Sequence, residues 1–79
     1  MQLNQAISKR LSELLNERGM SQYALHIRSG VSKATVNNIL SCRHTAMNLR
    51  ILWEICQALE ITLEDFFHSP LFDYDNLEP

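Results

Sequence analysis

Two cysteines and three histidines carry the most reactive side chains of the sequence. Cys42, His44 and Cys56 could supply three ligands to a zinc ion, with His26 or His68 as the fourth. Their spacing matches neither C-x-x-C nor H-x-x-x-H, so we expect free thiols, no metal and no other cofactor. No histidine is paired with a nucleophile in a pattern typical of catalysis, and the sequence predicts no catalytic residue.

Length and composition limit the protein to one small domain. The chain has 79 residues, of which 46% are hydrophobic, and this is too apolar for a disordered chain. It contains no run of about 18 apolar residues and no secretory signal. We therefore expect a cytoplasmic protein that does not contact a membrane.

The formal net charge of -2 hides a separation of charge along the chain. Residues 1–50 contain all seven lysines and arginines and two acids, which gives +5. Residues 51–79 contain the other seven acids and no lysine or arginine, which gives -7. The first part can attract a polyanion, so the small negative total is no argument against nucleic acid.

Hydrophobic periodicity predicts five short helices and no strand. Gly19 and Gly30 are expected to end the first two helices. Suitable N-caps for the second to fifth helices are Ser21, Ser32, Asn48 and Thr62. Pro70 is expected to end regular structure. The apolar residues of the second helix are Tyr23, Ala24, Leu25 and Ile27.

Three aromatic residues of the last two helices are expected to differ in burial. Trp53 falls within the broad apolar face of the fourth helix, so we expect it in the core. An exposed Trp53 would instead indicate a dimer surface. Phe66 and Phe67 cannot both point inward on a regular helix, and we expect one of them to close the core.

The second and third predicted helices are joined by the short turn Ser29-Gly30-Val31-Ser32. Glycine suits this position because the chain must turn sharply with positive φ. Leu25, Val36 and Ile39 can hold the two helices at the steep angle of a helix-turn-helix. The third helix then projects its N-terminus outward, where it can enter a major groove of DNA.

The sequence resembles the Cro/C1-type (XRE-like) helix-turn-helix family of bacterial and phage regulators over about residues 4–68. Residues 20–25, 29–40 and 61–67 carry the resemblance, together with the leucine-rich segment between them. It implies an all-α, compact five-helix lambda-repressor-like domain over residues 1–68. An acidic and apolar tail, residues 69–79, follows.

Three residues depart from the family pattern. His26 occupies a position where the family has a small residue, so we expect altered packing or a ring that points outward. Cys42 stands in place of a loop glycine, which leaves the path of that loop open. Glu60 stands in place of the glycine after the fourth helix, and we expect that turn to use another geometry.

The resemblance also assigns candidate contacts to DNA. Lys33, Ala34, Asn37 and Asn38 match positions that face base edges, where asparagine can pair with adenine and lysine with guanine. The alternative for these four is an ordinary solvated helix face. Candidates for contact with the DNA backbone are Gln22, Ser32, Thr35, Arg43, Arg10 and His44. For Arg10, a solvated helix charge is an equal alternative.

The function implied by the resemblance is sequence-specific binding of double-stranded DNA. We expect a transcriptional regulator, a repressor acting as a homodimer on a palindromic operator. One alternative is an antitoxin that represses its own operon. Another is a protein-interaction module of the same fold that binds a partner through its fourth and fifth helices or its tail. For the tail itself, docking on the body and a partly ordered solubilising role both remain open.

Overall fold

The computed structural model describes residues 1–43 and 47–78, and these residues form helices and no strand. The five α-helices are α1 (Leu3–Arg18), α2 (Gln22–Ser29), α3 (Lys33–Leu40), α4 (Leu49–Leu59) and α5 (Leu63–Phe67). Two 3-10 helices, Pro70–Phe72 and Tyr74–Asn76, follow α5. The predicted all-α, five-helix fold is confirmed, although Pro70 starts a further helical turn where we expected regular structure to end.

The helix boundaries follow from local chemistry at each end. Ser21 accepts a hydrogen bond from the Ala24 amide at 3.0 Å, and Asn48 accepts one from the Arg50 amide at 2.7 Å. Thr62 and Asp65 form a capping box at the start of α5. Gly19 and Gly30 end α1 and α2 in the left-handed region, with φ of 60° and 75°. These predicted caps are confirmed.

One hydrophobic core joins the five α-helices. The buried side chains belong to every α-helix and to the turn between α2 and α3. Leu25, Val36 and Ile39 are among them, so the helix-turn-helix packs as its sequence predicts. Phe66 is fully buried whereas Phe67 is 38% exposed, which confirms that only one of these rings closes the core.

Two arginines of α1 tie the later helices to the body. Arg18 donates from Nε to the Leu59 carbonyl at the end of α4, at 3.0 Å. Arg10 donates to two carbonyls at the end of α5. Positive charge is favourable at a helix C-terminus, where the last carbonyls have no partner within the helix. Part of the positive charge of residues 1–50 therefore serves the fold.

Trp53 corrects an expectation, because its side chain is 42% exposed. The buried residues of α4 are Leu52, Ile55, Cys56 and Leu59, a stripe at helical spacing. Trp53 lies beside that stripe, on the same side as the 64% exposed Leu49. The guanidinium of Arg50 lies over its ring, 5.5 Å from the centroid.

Glu60 corrects a second expectation, since it adopts the geometry of the glycine it replaces. It caps α4 with φ of 58°, in the left-handed region. The following amide, of Ile61, donates to the Cys56 carbonyl at 3.0 Å, which closes the turn. Cys42 likewise has φ of 59°, so the loop after α3 starts along a path that a glycine would also take.

The tail docks on the body as far as the structure describes it. Phe72 packs against the core and places its ring 4.9 Å from that of Phe67, centroid to centroid. The Met1 ammonium contacts the Asn76 carbonyl at 2.9 Å and the Glu78 carboxylate at 3.0 Å. The Glu78 amide in turn donates to the Met1 carbonyl at 2.9 Å.

None of the helices within the described ranges has both the length and the apolar character required to cross a membrane.

Candidate nucleic-acid interface

The N-terminal end of α3 is built by Ser32 and Thr35. The Ser32 hydroxyl accepts a hydrogen bond from the Thr35 amide at 3.1 Å and donates one to the Thr35 hydroxyl at 2.8 Å. The remaining amides of the first turn point out of the helix, and the positive end of the helix dipole lies there. This terminus can therefore receive a phosphate or the edge of a base.

The four candidates for base contact share one exposed face of α3. Lys33 and Asn37 lie one helical turn apart, and Ala34 and Asn38 lie beside them with the same spacing. All four are exposed, because Val36 and Ile39 supply the buried side of the helix. The structure thus brings the four residues together on the side of α3 that faces away from the core.

The first turn of α2 lies next to the first turn of α3. Lys33 Nζ is 5.9 Å from the centroid of the Tyr23 ring, so the side chains of these two turns meet. Gln22, the first residue of α2, is exposed beside Tyr23. Its exposed amide can donate a hydrogen bond to a phosphate.

Arg43 is exposed in the loop that follows α3. Its backbone amide donates to the Asn38 carbonyl at 2.9 Å, and the Ser41 amide donates to the Asn37 carbonyl at 3.0 Å. These bonds fold the loop back on the end of α3 and keep Arg43 close to it. His44, another candidate for backbone contact, lies outside the described residues.

The Arg10 side chain forms hydrogen bonds within the protein, whereas we expected it to contact a DNA phosphate or to be solvated. Its Nε donates to the Phe66 carbonyl at 2.7 Å and its Nη2 to the Asp65 carbonyl at 2.8 Å. Both bonds use the guanidinium, which is the group that a phosphate would require. The Arg10 guanidinium is therefore engaged within the protein and is not available to a phosphate in this arrangement.

Tyr23 is the residue of this surface that sequence reasoning missed. The sequence places it with Ile27 among the apolar residues of α2, but the two are 60% and 59% exposed. Only Leu25 of this helix is buried. The available signal was the shortness of α2, since eight residues offer few inward positions.

His26 packs against the turn of the helix-turn-helix. Its Nδ1 lies 2.7 Å from the Val31 carbonyl, to which it can only donate. Its ring meets that of Tyr23 edge-on, with 6.0 Å between the centroids. The bulk of His26 is thus accommodated beside the turn, and the two helices keep their packing around Leu25.

The two cysteines have different environments. Cys42 is exposed, with Sγ 3.9 Å from the Asn4 carbonyl, whereas Cys56 is buried in the core. Burial raises the pKa of the Cys56 thiol to about 11, and the charge of Asp65 adds to this effect. Within residues 1–43 and 47–78, no three His, Cys, Asp or Glu side chains are grouped so that they could hold a metal ion.

Together, a helical core, a tight turn and an exposed third helix with a polar face define a helix-turn-helix DNA-binding domain. The chain belongs to the Cro/C1-type HTH DNA-binding domain family, whose model matches residues 10–69. DNA is thus a partner of this domain. The family is one of DNA-binding regulators and is generally not enzymatic.

The fold is also similar to that of a solved phage protein. The crystal structure of the prophage Lp1 protein 11 superposes with a TM-score of 0.79 at 24% sequence identity. The match covers 89% of this chain and 93% of that chain. At this identity the likeness shows the fold alone. A comparison with curated proteins finds no match.

Proposed function

We propose that this protein is a sequence-specific transcriptional repressor that binds a palindromic DNA operator as a homodimer in the cytoplasm. The observation that carries the proposal is the exposed face of α3, where Lys33, Ala34, Asn37 and Asn38 lie together. In a family of DNA-binding domains, a helix with its polar face outward and its N-terminus uncovered is suited to the major groove.

The side chains on this face are suited to three of the four bases. Asn37 and Asn38 carry an amide that can pair with adenine through two hydrogen bonds. Lys33 can donate to the acceptors of guanine, and the methyl group of Ala34 can contact that of thymine. One such face spans only a few base pairs, so high specificity requires more than one copy of the helix.

Contacts to phosphates would then fix the register of α3 in the groove. Gln22 and Arg43 lie at the two ends of this surface and are exposed. The Thr35 hydroxyl accepts a hydrogen bond from the Ser32 hydroxyl, which leaves its own proton free to bond a phosphate oxygen. Ser32, through its backbone amide, and His44 complete the proposed set of contacts to the DNA backbone.

The exposed face of α4 is our candidate for the dimer surface. Leu49 and Trp53 lie one turn apart on it, and tryptophan is among the residues that contribute most to interfaces. A two-fold contact brings the same patch of both copies together. An antiparallel pairing of α4 would place Arg50 of one copy near Glu54 of the other, so the patch carries complementary charges.

The test of DNA recognition is selection from random duplex DNA with the purified protein. We expect a palindromic consensus that is lost with Lys33→Ala and Asn37→Ala. The matched controls are Lys9→Ala and Asn16→Ala, which remove the same residue types from the exposed side of α1. Absence of any enriched sequence at low salt would overturn the proposal and favour an interaction module of the same fold.

The test of the dimer is sedimentation of the wild-type protein and of Trp53→Glu over a range of concentrations. We expect the wild type to associate and Trp53→Glu to remain a monomer, because the variant removes the apolar ring and adds the cost of desolvating a charge. Tyr74→Glu serves as the control, since Tyr74 is 88% exposed on the tail. Equal association of Trp53→Glu and wild type would show that α4 is not the interface.

The antitoxin alternative shares the same contacts with DNA and differs in its partner. Copurification with a toxic protein encoded by a neighbouring gene would favour it over a repressor that acts alone.

A further inference from the structure

Tyr23 connects the two helices of the helix-turn-helix on their exposed side. It is the second residue of α2 and is 60% exposed, while Lys33 is the first residue of α3. Lys33 Nζ lies over the ring, 5.9 Å from its centroid. An ammonium at this distance is attracted by the negative face of the ring.

The Tyr23 ring is itself held by the turn between the helices. The His26 ring meets it edge-on, with an angle of 62° between the planes. His26 is fixed in turn by its contact with the Val31 carbonyl at 2.7 Å. Three side chains therefore form one connected set, His26, Tyr23 and Lys33, that runs from the turn to the start of α3.

We propose that Tyr23 is a positioning residue that sets where the Lys33 ammonium lies when α3 meets DNA. This inference rests on the proposed function, in which Lys33 contacts a base. A lysine side chain has a long flexible stem, and ordering it on binding costs conformational entropy. A ring that already restricts the ammonium reduces this cost, as preorganisation does in other complexes.

Tyr23 therefore contributes to the base preference at the position that Lys33 contacts. Its effect acts through the ring and requires Lys33. The total positive charge of the surface stays the same without the ring, so the dependence of affinity on salt should not change.

The contact can first be tested without DNA, by NMR of the Lys33 ε-methylene protons. A ring current from Tyr23 should shift these protons upfield in the wild type. The shift should persist in Tyr23→Phe and disappear in Tyr23→Leu, while the ε protons of Lys9 stay unchanged in all three. Equal Lys33 shifts in the wild type and in Tyr23→Leu would overturn the inference.

The role in binding is tested by a double-mutant cycle on the duplex that the wild-type protein selects. Tyr23→Leu should weaken binding about 2- to 5-fold, within the cost of ordering one flexible side chain at an interface. In the Lys33→Ala background, Tyr23→Leu should have no further effect, because the partner is missing. Tyr23→Phe keeps the ring and should bind with the affinity of the wild type. Ile27→Leu is the matched control on the same helix and should also leave the affinity unchanged.

The outcomes separate this inference from the proposed function. Equal effects of Tyr23→Leu with and without Lys33 would overturn the positioning role while leaving DNA recognition intact. A lower salt dependence of binding in Tyr23→Leu would also contradict it, because the ring carries no charge. If the wild-type protein selects no duplex, the proposed function fails, and the role assigned to Tyr23 in binding fails with it.

Discussion

Arg10 donates a hydrogen bond from Nε to the carbonyl oxygen of Phe66 at 2.7 Å, and so links α1 to the end of α5. The two residues are 56 positions apart in the chain. Phe66 is the fully buried ring that closes the core. The bond therefore fixes the helix that carries this ring, and it gives a basic residue a role in the fold where the sequence pointed to DNA.

Arg10→Met should lower stability and leave DNA binding intact. The variant removes two charge-assisted hydrogen bonds but keeps most of the apolar stem, so we expect a loss of about 1–2 kcal/mol in the free energy of unfolding. Urea unfolding measures this loss. Affinity for the selected duplex and its salt dependence should match the wild type.

Arg43→Met provides the contrasting variant. We expect its stability to be unchanged and the slope of log affinity against log salt to fall by about 1, as for the loss of one phosphate contact. A reduced slope of log affinity against log salt in Arg10→Met would indicate that Arg10 does contact DNA.

Glu60→Gly should stabilise the protein. Glu60 has φ of 58°, a conformation that strains a residue with a side chain but not glycine. Relief of this strain exceeds the added entropy of the unfolded chain, so we expect a gain of up to about 1 kcal/mol. Gln57→Gly is the control, because the exposed Gln57 lies within α4, where glycine should cost about 1 kcal/mol. A loss of stability in both variants would contradict the account.

The capping box of α5 should make stability depend on acidity. Hydrogen bonds from the amide and side chain of Thr62 lower the pKa of Asp65 below its ordinary value. The stabilisation is therefore fully present above the unfolded pKa of about 3.9 and is lost as the pH falls through the lower folded value.

Asp65→Asn tests this pH dependence. The variant should be less stable than the wild type at neutral pH, and the difference should shrink in acid, because below the unfolded pKa protonation of Asp65 favours the unfolded wild-type chain. Urea unfolding at neutral pH and at about pH 2.5 compares the two conditions. A difference that stays constant between them would show that the ionised Asp65 does not stabilise the cap.

Phe72→Ala should destabilise the domain although it lies beyond the predicted domain end at residue 68. Its ring packs against the core and meets the ring of Phe67 edge-on, 4.9 Å between centroids. We expect a loss of about 1–2 kcal/mol, less than for a fully buried ring. Tyr74→Ala, at an 88% exposed position, should change stability by less than about 0.5 kcal/mol. Equal unfolding curves for wild type and Phe72→Ala would show that the tail only rests on the surface.

The sequence predicts the parts of this structure that depend on neighbours along the chain. Ser21, Ser32, Asn48 and Thr62 each cap the helix that begins at the next residue, and a cap needs only a side-chain oxygen and a nearby amide. The polar face of α3 follows from the spacing of its residues in the same way.

Contacts between residues far apart in the chain could not be predicted from the local sequence. Nothing near Arg10 in the sequence indicates its bond to Phe66, because that bond depends on how α1 packs against α5. The exposure of Trp53 depends on which side of an apolar helix meets the core. The apolar residues of α4 cover a wider face than the one that is buried, so periodicity alone did not exclude Trp53 from the core. Glu60 shows that a replaced glycine does not exclude the geometry of glycine when the surrounding turn enforces it.

The most direct test of the central claim is an NMR titration of the ¹⁵N-labelled protein with the selected duplex. We predict that the largest changes in amide shifts fall at residues 32–38, at Gln22 and at Arg43, with little change in α5 or the tail. Changes confined to the exposed face of α4 or to residues 69–78, with α3 unaffected, would contradict it.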